Sequence, residues 1–143
     1  MIAYFDSSVL LTILLSEKQY DKACSLWNNA DFCLSSFLLR IETNISLRRS
    51  HKISVHKDND SWLFQKMNEL NGMLDDIHCK PIDSSIEQII IKNKDLAGCK
   101  SLDAIHIATA LYFKENSREQ NIILYSFDRN MLVIAKRFGF ETN

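Results

Sequence analysis

The stretch Ile122-Ile123-Leu124-Tyr125-Ser126-Phe127-Asp128 decides the fold. Its apolar run is short and rich in the β-branched and aromatic residues that strands favour. It reads as a strand over 121–127, with Asp128 opening a helix that ends at Phe138-Gly139. The N-terminus has the same shape, since Ile2-Ala3-Tyr4-Phe5 reads as a strand and Asp6 follows it directly. In open α/β sheets, ligands bind beyond the carboxyl ends of the strands, where strand order reverses. Two aspartates at two such ends would converge if their strands were neighbours.

Between these ends, short apolar runs alternate with longer helical periods, the pattern of an α/β fold with a mainly parallel sheet. Helices are expected near Val9–Leu15 and over about 19–29, the second with Ala23, Leu26, Trp27 and Ala30 on one face. Phe32-Cys33-Leu34 is a short strand. Ser35 or Ser36 then caps a helix running to about Ser50, with Phe37, Leu38, Ile41 and Ile45 expected to point inward. A helix over about 58–75 carries Leu63, Met67, Leu70 and Leu74 in register, leaving Trp62 and Phe64 for the core or for a partner surface. Ile77 to Ile82 reads as a strand at the sheet edge, and Asp83-Ser84-Ser85 as the cap of a helix over about 85–97 that ends near Gly98. Ser101 is expected to cap a helix over about 102–115, apolar on nearly every side and therefore buried. Phe140-Glu141-Thr142 closes the chain as a short strand.

The 143 residues suit a single domain spanning 1–143, and 46% hydrophobic against 24% charged residues is enough apolar material for one core. Three glycines and one proline argue against disorder and against an all-β design with many tight turns. A net charge of −1 excludes a generally basic nucleic-acid binder, so any such role must rest on a local site. Cys24, Cys33, Cys79 and Cys99 form no C-x-x-C pair and read as buried free thiols of a cytoplasmic protein. His51, His56, His78 and His106 lack zinc-site spacing. No apolar run reaches the ~18 residues of a membrane span, and the opening residues are too few for a signal segment.

Two more acids join Asp6 and Asp128. Asp103 lies in the first turn of the buried helix, and Glu42 lies mid-helix. Four carboxylates without a histidine or cysteine partner describe a hard oxygen site, suited to Mg²⁺ or Mn²⁺ rather than zinc. Such a site can cleave a phosphodiester by polarising the phosphoryl oxygens and acidifying a water. Crowded carboxylates repel, so raised pKa values are expected without a cation. Each acid also has a purely structural reading: Asp6 as a turn or cap, Asp128 as an N-cap, Asp103 as a charge on the helix dipole, Glu42 as a solvated side chain. His106, one turn beyond Asp103, reads as a hydrogen-bonded core histidine, and Asp83 as a cap. Arg48-Arg49-Ser50-His51-Lys52, two turns beyond Glu42, is either a solvated helix end or a contact for an RNA backbone.

Asp6-Ser7-Ser8-Val9-Leu10 after a strand resembles the opening motif of PIN domains, and Ser35 through Glu42 is similar to their strand–Ser–helix–Glu segment. Leu102-Asp103-Ala104-Ile105-His106-Ile107-Ala108-Thr109-Ala110 closely resembles the Asp-Ala-x-x-x-Ala-x-Ala helix of VapC-type toxins. Ser126-Phe127-Asp128-Arg129 looks like their Thr/Ser-x-Asp motif. The four motifs stand in the family's order from Ile2 to about Gly139.

The resemblance implies a three-layer α/β/α fold with a parallel sheet of order 3-2-1-4-5. It implies Mg²⁺- or Mn²⁺-dependent endoribonuclease activity, a homodimer, and a VapB-type antitoxin that blocks the site. It further implies Asp6, Glu42, Asp103 and Asp128 as the acid set. Asp6 and Asp103 would be direct metal ligands, Glu42 would bind metal or orient water, and Asp128 would act through water. Ser8 and Ser126 would support the site. Apart from the resemblance, Arg48, Arg49 and Lys52 of the basic run are the candidate RNA contacts. A haloacid-dehalogenase-like phosphatase also begins with an aspartate after its first strand, but wants an acid where this chain has Ser8. A receiver domain wants paired early acids and a late lysine. A PIN-like module that binds RNA or a partner without cutting is the remaining alternative.

Overall fold

Strands β1 (Ile2–Phe5), β2 (Phe32–Ser36), β3 (Ile77–Lys80), β4 (Ile122–Tyr125) and β5 (Glu141–Thr142) form one sheet in the order β3-β2-β1-β4-β5. Every neighbouring pair is parallel. The computed structural model describes residues 1–117 and 121–143. The strand order is the one the resemblance implies. Chain order reverses at β1, whose neighbours are β2 and β4, with Phe5 in register with Tyr125.

Both faces of the sheet are covered, which is why its strands read as continuous apolar runs. Because side chains alternate along a strand, Ala3 and Phe5 enter one core while Tyr4 enters the other. The first core lies against α1 (Ser7–Leu14), α2 (Tyr20–Asn28), α3 (Phe37–Ile53) and α4 (Asp60–Asp75). The second lies against α5 (Ser84–Lys92), a 3₁₀ turn (Lys94–Gly98), α6 (Ser101–Asn116) and α7 (Arg129–Arg137). Gly139, at φ +75°, ends α7, a backbone turn that favours glycine. Phe140 N–H then bonds back to Ala135 O at 3.1 Å. No helix among the described residues is long and apolar enough to cross a membrane.

Several expectations from the sequence need correction. Leu38 is buried as expected, but Phe37, Ile41 and Ile45 are exposed, the last two at 45% and 50%. The inward stripe of α3 is Leu39, Thr43, Leu47 and His51, each four residues apart. Phe37, Ile41 and Ile45 have the same spacing but start two residues earlier, and two residues turn a helix by about 200°. Thr43 hides this choice, because a threonine looks polar until its hydroxyl is seen bonded to Leu39 O at 2.8 Å.

The helix expected over 85–97 stops at Lys92. There the Asn93 side-chain amide donates to Ile89 O at 2.7 Å, the backbone leaves helical geometry, and a 3₁₀ turn follows. Ser101 is the first helical residue of α6, not its cap, and Lys100 stands at the N-cap without a side-chain bond. Leu102 is exposed, an exception to the burial expected for α6. The four cysteines are free, as expected, but half-buried.

The two stripes of α3 should separate cleanly in unfolding experiments. Leu39→Ala is expected to cost about 2–5 kcal/mol in urea denaturation, the range for emptying a packed core site. Ile41→Ala is expected to cost about 0.5 kcal/mol or less. Equal costs would mean that the outward stripe is buried.

Candidate active site

Asp6 sits where β1 ends, 5% exposed, as the N-cap of α1. Its Oδ1 accepts the Ser8 backbone N–H at 3.1 Å and the Ser8 hydroxyl at 2.5 Å. Its Oδ2 accepts the Ser126 hydroxyl at 2.7 Å. The two serines are themselves held from the other side. Ser8 Oγ accepts Phe127 N–H at 2.8 Å, and Ser126 Oγ accepts Asp128 N–H at 2.9 Å. Ser8 and Ser126 therefore form a lattice that stitches the end of β1 to the end of β4 and fixes the Asp6 carboxylate between them.

Asp128 caps α7, its Oδ1 taking the N–H groups of Asn130 at 2.8 Å and Met131 at 3.2 Å. Oδ2 takes no part in the cap, and the residue is exposed. Asp103 is half-buried in the first turn of α6. Glu42, on α3, reaches the cluster from the opposite core layer and meets His106 Nε2 at 2.6 Å. The structural readings of Asp6 and Asp128 as caps thus hold.

The acids act on one another electrostatically. Burial pushes the Asp6 carboxyl above its ordinary value, and Glu42 adds to the rise, while His106, Ser8 and Ser126 oppose it. Burial likewise raises Asp103, followed by the nearby charge of Asp128 and a smaller push from Glu42. Both carboxyls are raised, but burial leads at both positions, and the repulsion expected of crowded carboxylates comes second at Asp103 and last at Asp6. Asp83 behaves differently although it also follows a strand. Lys80 lies 2.6 Å from it and, with Ser85, holds its carboxyl down at about 2. It is a cap, as the sequence indicated, and Lys80 gives it a cation that the sequence reading did not foresee.

Arg48, Arg49 and Lys52 line a groove of about 270 Å³ with Ile45. Arg48 is drawn back onto its own helix by Asn44, at 3.0 Å from the side-chain oxygen, while Arg49 and Lys52 are exposed. A cleft of about 330 Å³ adjoins Asp103 and is lined by Lys100, Asn130 and Arg137 among others. The sequence reading missed these three, and their scattered positions offered no motif to find them by. It also missed Tyr4, whose only signal was its place two residues before Asp6, on the same face of the strand.

The profile of the PIN domain family matches residues 3–137. The chain belongs to the PIN domain family. PIN domains are generally nucleases that use divalent metal ions. In fold the chain resembles VapBC2 from Rickettsia felis, solved bound to a DNA fragment from its promoter. The TM-score is 0.63 at 12% identity, covering 100% of this chain and 98% of that one. It also resembles PAE2754 from Pyrobaculum aerophilum, with a TM-score of 0.54 at 15% identity, covering 99% of this chain and 83% of that one. At these identities the likeness speaks for the fold. No curated protein sequence matches the chain significantly.

The donor chemistry fits a hard divalent cation. The acid set offers only oxygen, and the raised carboxyls of Asp6 and Asp103 would gain from a positive charge. Among the described residues, no three histidine, cysteine or acidic side chains form a ready cage. Mg²⁺ needs none, because it keeps several waters and takes one or two carboxylates.

The raised Asp6 carboxyl makes a sign-definite expectation. Below 3.8, its ordinary value, the group is protonated in both folded and unfolded chains. Above its raised value it is ionised in both, and only the folded state bears the desolvation. Stability associated with Asp6 is therefore present at acid pH and lost as pH rises through the raised pKa. Asp6→Asn keeps a good N-cap and removes the charge. In metal-free protein it should be more stable than wild type near neutral pH, with the advantage vanishing as pH falls toward 3.8. Chemical denaturation across pH tests this, and a pH-independent difference would contradict it.

Proposed function

We propose that this PIN domain, acting over residues 1–143 as one unit, is a Mg²⁺- or Mn²⁺-dependent endoribonuclease and the toxin of a toxin–antitoxin pair. The observation that carries the reading is the buried, serine-locked Asp6 carboxylate at the reversal of strand order in a PIN fold.

In this reading Asp6 and Asp103 hold the cation, Glu42 completes its surroundings directly or through an ordered water, and Asp128 acts through water with the Oδ2 that its cap does not use. When bound, a divalent ion polarises the phosphoryl oxygen and lowers the pKa of a water. Ser8 and Ser126 keep the Asp6 carboxylate from rotating away, so little reorganisation is needed when the cation arrives. Arg49 and Lys52, with Arg48 at the rim of the same groove, and Lys100 and Arg137 beyond Asp103, supply local positive charge for an RNA backbone in a chain whose net charge is −1. Such contacts position a phosphate without reading bases.

The pairing with a VapB-type antitoxin is proposed from the likeness to the VapBC2 complex. The outward apolar stripe Phe37, Ile41 and Ile45 gives α3 a surface suited to a protein partner or to the second copy of a homodimer. A cytoplasmic setting fits both RNA and antitoxin.

The purified protein is expected to cleave total bacterial RNA with Mg²⁺ or Mn²⁺, and to stop on addition of chelator. Asp6→Asn and Asp103→Asn should each lower the rate by about a hundredfold or more while remaining folded, a loss in line with damage to a metal site. Folded wild type that binds neither metal would contradict the reading.

A further inference from the structure

Behind Glu42 runs a chain of hydrogen bonds through the second core. Ser36 N–H donates to Tyr4 Oη at 3.1 Å, Tyr4 Oη lies 2.9 Å from His106 Nδ1, and His106 Nε2 lies 2.6 Å from Glu42 Oε1. Donor and acceptor are fixed at the two ends of the chain. A backbone amide only donates and a carboxylate only accepts. The ring therefore carries a proton on Nε2 that points at Glu42, and its Nδ1 faces the Tyr4 hydroxyl. Tyr4 is fully buried and His106 is 2% exposed, whereas the Glu42 side chain at the end of the chain is 23% exposed.

Burying a phenol and an imidazole is costly unless both are bonded, and here each has its partners. The two elements that contribute them also carry the proposed ligands. Tyr4 lies two residues before Asp6 on β1, and His106 one turn beyond Asp103 on α6. Glu42 alone would be a flexible side chain on a half-exposed helix face. Bonded to His106, it is held in register with both.

Resting on the metal-dependent reading above, we infer that Tyr4 and His106 are positioning residues that clamp Glu42 against the Asp6–Asp103 pair and so set the site's affinity for a divalent cation. Neither touches the cation or the RNA. Both act through Glu42, as hydrogen-bond partners of metal-site carboxylates do elsewhere.

The test is Mn²⁺ titration calorimetry on the full chain, with RNA cleavage kinetics and metal-free melting alongside. Tyr4→Phe and His106→Phe are each expected to weaken Mn²⁺ binding roughly 10- to 100-fold, with kcat falling in step and KM for RNA nearly unchanged. His106→Gln, which retains a donor toward Glu42, should recover part of the loss. In a Glu42→Gln background the same substitutions should have almost no further effect on Mn²⁺ affinity, because the group they act through is gone. Equal effects in both backgrounds would overturn the clamp. So would a lowered melting temperature with Mn²⁺ affinity intact. If His106→Phe does not fold, Tyr4→Phe, which removes one oxygen atom, decides the matter. Wild type that neither binds Mn²⁺ nor cuts RNA takes this inference down with the parent reading. Wild type that does both, with an unresponsive Tyr4→Phe, overturns this inference alone.

Discussion

The parallel pairing of β1 with β4 is the constraint from which the rest follows. Residues 2–5 and 122–125 are far apart in the chain, yet Phe5 and Tyr125 stand side by side at the carboxyl edge of the sheet. Pairing continues one step past the strands, where Asp6 N–H bonds Tyr125 O at 3.2 Å. That step delivers Asp6 and Ser126 to each other and starts α1 and α7 from one edge. The reversal of strand order there opens the space that Asp103 and Glu42 enter from opposite layers. A one-residue slip in this register would turn Tyr4 and Asp6 to the other face.

The edge so formed is built from groups that oppose each other. Burial and like charge both disfavour ionised Asp6 and Asp103, so the site stores unfavourable electrostatics that the two cores must outweigh. The serine hydroxyls moderate this at Asp6 without removing it. In the proposed reading a cation relieves both carboxyls, whereas an apolar ligand would leave them unrelieved. Basic side chains line the outer reach of α3, and Lys100 and Arg137 share a cleft with Asp103.

Much of this was legible in the sequence because it was written in short, local patterns. The apolar runs ending in Asp6 and Asp128, the capping role of Asp83 and the Asp103 helix all depend on neighbours within a few residues. What escaped was decided at a distance. Two stripes of α3 have identical spacing, and only the packing of Leu39 and Leu47 against the first core selects between them. The break at Asn93 turns on one side-chain amide competing for a backbone carbonyl. His106 was read as a hydrogen-bonded core residue, which it is. That its partner is Glu42, 64 positions away, is a fact of topology that no periodicity encodes. Tyr4 was hidden in the same way, as one more apolar residue of a buried strand.

The most direct measurement of the central claim is anomalous diffraction from a crystal of the protein soaked in Mn²⁺. A manganese peak is expected at the carboxyl edge of β1, within ligating distance of the Asp6 and Asp103 carboxylates and near Glu42. A well-diffracting crystal with no peak there at saturating Mn²⁺, or with its only peak elsewhere on the molecule, would contradict it.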